Sequence, residues 1–367
     1  MRYYDVIIRN PTTGALVQPT AFKKLNLAST YTSYVNGRTL GGALDMQMQF
    51  QSFPFASPEA SSSSFIRFYG ISLAEISQGN LLEGYRITVK AGMQKGLPLA
   101  NPKQNGVIAE GYIYQCYGNW QGVDKTLDIN FYPVGSSGGT PLNPNGKLNF
   151  MFVWKRNTLL KDAIESTLAM ALPTVPRRIM ISDQLRAKAD FNAVYTTMAA
   201  FAAAIKQWTN TVEFQGIKTL SGAKYSGVDI SKPQDDILVV DGTSTAYTQN
   251  TETNPKQLEF IDLIGQPTWI DGTSVNFKTV LRADIKVEDF VRFPKGLSNS
   301  PYVITTPGAA VPGANSRNRL AFDGVFRIRR VFQFAQFRNP NADAWVTTFD
   351  AAFAGDIAKL TGGAAAP

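Results

Sequence analysis

Leu44-Asp45-Met46-Gln47-Met48-Gln49-Phe50 alternates apolar and polar side chains without a break. Successive side chains of a strand point to opposite faces, so this spacing predicts a strand buried on one side only. The same period recurs at Ile87, Val89 and Ala91, at Leu127, Ile129 and Phe131, and at Leu148, Phe150, Phe152 and Trp154. One dry and one wet face favour antiparallel pairing. Asn36-Gly37, Gly41-Gly42, Asn105-Gly106 and Gly135 to Gly139 punctuate these runs as turns. Residues 1–155 therefore read as an all-β unit, a barrel or sandwich, with a short helix around Leu73 to Ser77. Three long loops, Ser52 to Ser64, Gln94 to Gly106 and Gly135 to Gly146, are expected to order against neighbours in an assembly.

The period changes after Trp154. Leu160, Ile164, Leu168 and Leu172 recur every fourth residue, which predicts a helix capped at Asn157 or Thr158 and ended by Pro173 and Pro176. A second helix is expected over 190–208, with Phe191, Val194, Tyr195, Met198, Phe201, Ile205 and Trp208 as its packing stripe. Gly227 to Ile230 and Asp236 to Gly242 read as two strands closed by an Asp-Gly turn. Ser244 to Lys256 reads as a polar linker. Strands resume at Leu258, through Val275, Phe277, Val287 and Phe290 to Phe293. A loop from Pro294 to Asn318 precedes Phe322 to Phe334, and Trp345 to Phe349 closes the unit. The expected organisation is mainly β with some α: a β-barrel over 1–155, a mixed α+β middle over 156–257, a second β-barrel over 258–356 and a C-terminal tail over 357–367.

The 367 residues are 44% hydrophobic and 17% charged, a globular balance, with a formal net charge of +8. There is no histidine and one cysteine, Cys116. The usual general base, the commonest metal ligand, a thiolate zinc site and an intrachain disulfide are therefore missing. Cys116 lies in a strand pattern and is expected to be a buried, inert thiol. No phosphate loop or nucleophile elbow occurs. Asp235-Asp236 and Glu288-Asp289 are adjacent acids that would face apart on a strand, so they make poor catalytic pairs. No catalytic residue, metal ligand or cofactor is expected, and the chain is read as a non-enzyme. A carboxylate-only hydrolase remains chemically open. Phe326-Arg327-Ile328-Arg329-Arg330-Val331-Phe332 is basic and aromatic like a nucleic-acid strand. The favoured reading is a half-buried strand with Phe326 and Ile328 on one face and Arg327, Arg329 and Val331 on the other. The alternation breaks at Arg330. The N-terminus carries no signal-peptide pattern, and no stretch is apolar and long enough for a transmembrane helix.

In order along the chain, several patches resemble the baseplate hub proteins of contractile-tailed phages, of the Mu and late-control-D type. They are Gly84 to Gly92 followed by Val107 to Tyr114; Gly227 to Ile230 followed by Ile237 to Gly242; and Leu263 to Thr268, Val287 to Val291 and Trp345 to Thr347. Glu288 departs from the pattern, standing where a glycine is common. The final strands also lack the His and Asp often seen before the closing Trp. The resemblance implies a virion structural protein made in the host cytoplasm and placed in the tail baseplate. It implies a homotrimer with two tube-like barrels per copy, meeting tail tube or tube-initiator proteins, the central spike, baseplate wedge proteins and the tape measure. Phage DNA would pass transiently, and no membrane insertion is implied. Alternatives are a tube initiator or distal tail protein, a hub with cell-wall hydrolase activity, and a carbohydrate-binding β-protein. A conduit studded with cations would retard DNA, so most of the late arginines, Arg317, Arg319, Arg327, Arg329, Arg330 and Arg338, are expected to face protein neighbours or solvent and not the channel.

Overall fold

A computed structural model describes residues 2–19, 27–35, 38–57, 64–93, 104–133, 149–173, 175–217, 225–232, 236–243, 255–271, 274–294, 322 and 324–355. The loop expected at 135–146, most of those at 94–106, 244–256 and 294–318, and residues 58–63 of that at 52–64 lie outside these, as do Asn36-Gly37, Asp235, Arg317, Arg319 and the tail. The N-terminal part contains β1 (Arg2–Arg9), β2 (Tyr31–Thr32), β3 (Tyr34–Val35), β4 (Arg38–Thr39), β5 (Asp45–Ser52), β6 (Ser64–Tyr69), α1 (Leu73–Ser77), β7 (Arg86–Met93), β8 (Gly106–Gln121) and β9 (Asp124–Pro133). The middle contains β10 (Phe150–Trp154), α2 (Leu160–Ala171), β11 (Arg177–Met180), β12 (Phe191–Tyr195), α3 (Met198–Thr209), β13 (Asp229–Ser231) and β14 (Ile237–Val240). The C-terminal part contains β15 (Lys256–Gln257), β16 (Thr268–Trp269), β17 (Ser274–Val280), β18 (Phe290–Arg292), β19 (Val325–Gln336) and β20 (Trp345–Gly355).

The period-two segments assemble as one 13-stranded sheet in the order β16-β17-β20-β19-β5-β6-β9-β8-β7-β1-β2, with β18 on β19 and β15 on β18. All its pairings are antiparallel except β15 with β18. The two β units expected from the sequence are thus joined edge to edge, and β5 meets β19 over Ser52↔Val331 to Gln47↔Gln336. Among the described residues the strand pairing is an open path and closes no ring. Side chains draw its N-terminal half round instead. Tyr4 of β1 packs edge-on against Phe337 at 5.0 Å and donates its hydroxyl to Leu44 O at 2.7 Å, beside β5.

Apolar faces point the same way along the whole sheet. Tyr4, Val6, Met46, Met48, Ile66, Phe68, Ile87, Val89, Ile129 and Phe131 build one core, and Leu281, Ala335 and Trp345 from the C-terminal part enter it. Val275, Phe277, Phe326, Ile328, Val331 and Phe349 build a second. β19 and β20 therefore serve both cores. On β19 an irregularity lies between Ile328 and Arg330, within the second core. The extra residue there resets the alternation. Val331 is buried with Ile328, and Arg330 turns outward to Asp350 at 2.6 Å. This corrects the expected face of Val331 and accounts for the break in pattern at Arg330.

The middle part has its own core, in which α2 and α3 pack with β10, β12 and the sheet β11-β14-β13. Three local expectations are corrected here. β10 leaves the N-terminal sheet and pairs with β12, so Phe191 to Tyr195 is a strand and only 198–209 is helical. Phe191, Phe201 and Trp208 still share one core, because alternate strand residues and a helix stripe converge on it. Thr197, two residues past the end of β12, caps α3, accepting from Ala200 N at 3.1 Å. The cap of α2 is neither Asn157 nor Thr158. Leu159 holds that position without a side-chain bond, and Leu160 N donates to Leu185 O at 2.9 Å.

Candidate functional site

Two features stand out, a polar sheet face and a charged joint. Opposite the cores, Lys278, Thr348, Phe332 and Gln51 stand opposite one another in turn, and beside them Phe334, Gln49, Phe65, Asn130 and Gln115 do the same, so that the face runs across seven neighbouring strands. β5 supplies three amides, Gln47, Gln49 and Gln51, and Gln336 stands opposite Gln47. Three ion pairs lie on this face. Arg67 Nε donates to Asp128 Oδ1 at 2.6 Å, Arg330 pairs with Asp350 at 2.6 Å, and Lys278 with Asp343 at 2.9 Å. Amides and neutralised pairs make a wall that hydrogen-bonds water and holds little net charge.

The joint lies where the middle part meets the C-terminal strands. β14 reads Ile237-Leu238-Val239-Val240, apolar at every position, and is buried on both faces. Ile237 and Val239 enter the middle core, while Leu238 and Val240 meet Phe290 and Val325. Beside it, Asp229 of β13 is fully buried and receives Lys206 Nζ at 2.5 Å and Arg329 Nη1 at 2.7 Å, with Arg327 Nη2 at 3.5 Å. Burial alone would push the Asp229 carboxyl up. Arg329, Arg327 and Lys206 outweigh it and hold the group well below the usual carboxylate range. Glu288 completes the cluster through Arg327. Its φ of 74° lies in the left-handed region that favours glycine, which gives a physical sense to the departure noted at this position.

The basic strand of the sequence is thus absorbed within the chain: Arg327 and Arg329 face Asp229 and Glu288, and Arg330 faces Asp350. Arg338 donates to Ala43 O at 2.6 Å. Glu288 and Asp289 lie in a turn ahead of β18 and not on a strand, and Asp289 accepts Lys256 Nζ at 2.6 Å. Cys116 is buried, and burial pushes its thiol up to about 12. Sequence reasoning missed Asp229 and Lys206. The available signal was the uninterrupted apolar run of β14, which marks a strand covered on both sides and hence a neighbouring interface.

No family model matches the chain, and no curated protein matches its sequence. Solved structures do align with it. One is the 43 kDa tail protein of prophage MuSo2 from Shewanella oneidensis, with 6% identity, a TM-score of 0.47, and 95% of this chain and 97% of that one covered. A tail protein from Neisseria meningitidis MC58 aligns at 10% identity and a TM-score of 0.41, covering 95% and 96%. A chain of a PdpA–VgrG complex aligns at 8% identity and 0.47, covering 96% of this chain and 65% of its own.

Proposed function

We propose that this chain is a structural subunit of a phage tail baseplate, the central hub, and that it works without catalysis. The observation that carries the reading is the β5–β19 ladder, which fuses two β units into one sheet with both cores on the same side. Two similar units side by side in one subunit suit a ring in which three copies present six units. Such a ring docks a sixfold tube above and a threefold spike below. Each unit would complete its barrel through side-chain packing of the kind Tyr4 makes across the opening. The opposite, amide-rich face suits the lining of a DNA path, because matched ion pairs leave few free cations to retain phosphate. Neighbours in this reading are the tail tube or its initiator, the spike, wedge proteins and the tape measure.

Sedimentation of the purified chain, and its copy number in intact particles, test this. A trimer, with three copies per tail end, is expected. A hexamer would transfer the chain to the tube-initiator or distal-tail class. Release of reducing sugars from purified cell wall would overturn the non-catalytic part.

A further inference from the structure

At the seam between the two β units, the start of β1 meets the segment that follows β19, and a cleft of about 570 Å³ opens there. Leu40, Met93 and Phe337 give it apolar walls, and Arg2 and Arg338 are its charged lining residues. Arg2 is fixed in place. Its Nη1 donates to Gln336 O at 3.0 Å and also to Asn339 O, its Nη2 donates to Asn341 O at 2.6 Å, and the group lies 5.7 Å from the Trp345 ring centre. Those acceptors are neutral carbonyls, and among the described residues no carboxylate forms an ion pair with Arg2. Burial lowers the Arg2 pKa from its ordinary value, which fits a cation short of anionic company. Arg338 spends one bond on Ala43 O and is otherwise exposed. The carboxylate at hand, Asp45, accepts the backbone N–H groups of Met46 and Arg338 instead of a guanidinium.

Elsewhere in the described chain the arginines of buried joints are matched with acids, as at Asp229 and Asp284. Two arginines lining an apolar cleft without one are therefore a recognition pattern. Guanidinium takes carboxylate through paired, charge-assisted hydrogen bonds, and the apolar walls take the body that carries it. We propose that this cleft is a docking site for a segment of another protein in which acidic and large apolar side chains alternate. A second copy of this chain is the poorer complement, since it brings the same net charge of +8.

The test titrates the full-length chain with acetyl-Phe-Glu-Leu-Asp-amide and with its uncharged counterpart, acetyl-Phe-Gln-Leu-Asn-amide, by calorimetry and by arginine side-chain nitrogen NMR. The acidic peptide should bind saturably, shift the Arg2 and Arg338 side-chain signals and weaken with added salt. The amide peptide should bind at least about tenfold more weakly, the scale of one charge-assisted hydrogen bond. Arg338→Gln, at an exposed position, should lose a similar factor. Lys188→Gln removes the same charge far from the cleft and should lose none. Equal binding of both peptides, full affinity in Arg338→Gln, an equal loss in Lys188→Gln, or no saturable binding below roughly 10 mM would each overturn the proposal.

Discussion

Asp229 shows how one residue can hold two parts of a chain together. Three cations converge on its buried carboxylate from α3 and β19. Asp229→Asn keeps the shape, removes the charge and leaves Lys206 without its acid and Arg327 and Arg329 with Glu288 alone. A loss of about 3–5 kcal/mol is expected, read from urea unfolding, as for other broken buried pairs. The folded pKa is depressed, so its contribution is complete above the unfolded value of about 4 and is lost as pH falls below that toward the native value. The Asp229→Asn variant should therefore show a shallower decline in stability between neutral and acid pH; an unchanged slope would count against the account. Cys116 offers a second check. With its thiol raised to about 12, it should resist a maleimide at pH 8 in the native protein and react after unfolding. Some of this was legible in advance. The burial of Cys116 followed from strand spacing, and the irregular position of Arg330 stood out as a break in alternation. Asp229 was not legible, because Arg329 lies 100 residues along the chain and no local pattern ties them.

At the level of elements, the period-two strands were readable because one side of each is dry. The strand at 191–195 was misread because its inward residues continue the spacing of α3 and feed the same core. Periodicity reports which side chains are buried; it identifies the backbone less well when two short elements share a core. The parallel pairing of β11 with β14 was also missed, since Arg177 and Arg178 disguise a four-residue strand. One glycine shows how tightly elements meet. A Cβ on Gly118 of β8 would lie 2.5 Å from Ile76 Cγ2 of α1. Gly118→Ala should therefore destabilise by about 1–3 kcal/mol through overpacking. Hydrogen exchange should show the loss first in α1, and a uniform rise across the sheet would contradict this.

For the whole molecule, the two β units were visible as separate stretches of sequence, but their union was not. β5 and β19 alternate equally well whatever strand they meet, and register between distant strands is written in three dimensions. A chain ended after residue 257 keeps β5 and lacks its partner β19. It should form aggregates that sediment rapidly, while Glu and Lys placed at outward positions 49 and 51 should partly restore solubility. A soluble, monomeric fragment without those changes would show that the N-terminal unit is self-sufficient.

The same ladder sets a clock on synthesis. Ser52 leaves the ribosome long before Val331, which pairs with it. At ordinary elongation rates the wait is roughly 15–60 s. Throughout that interval the growing polypeptide carries a bare, glutamine-lined strand edge among its sister chains. Production of this protein in the cell is thus a race between elongation and mispairing, and slower translation or dense polysomes would favour mispairing.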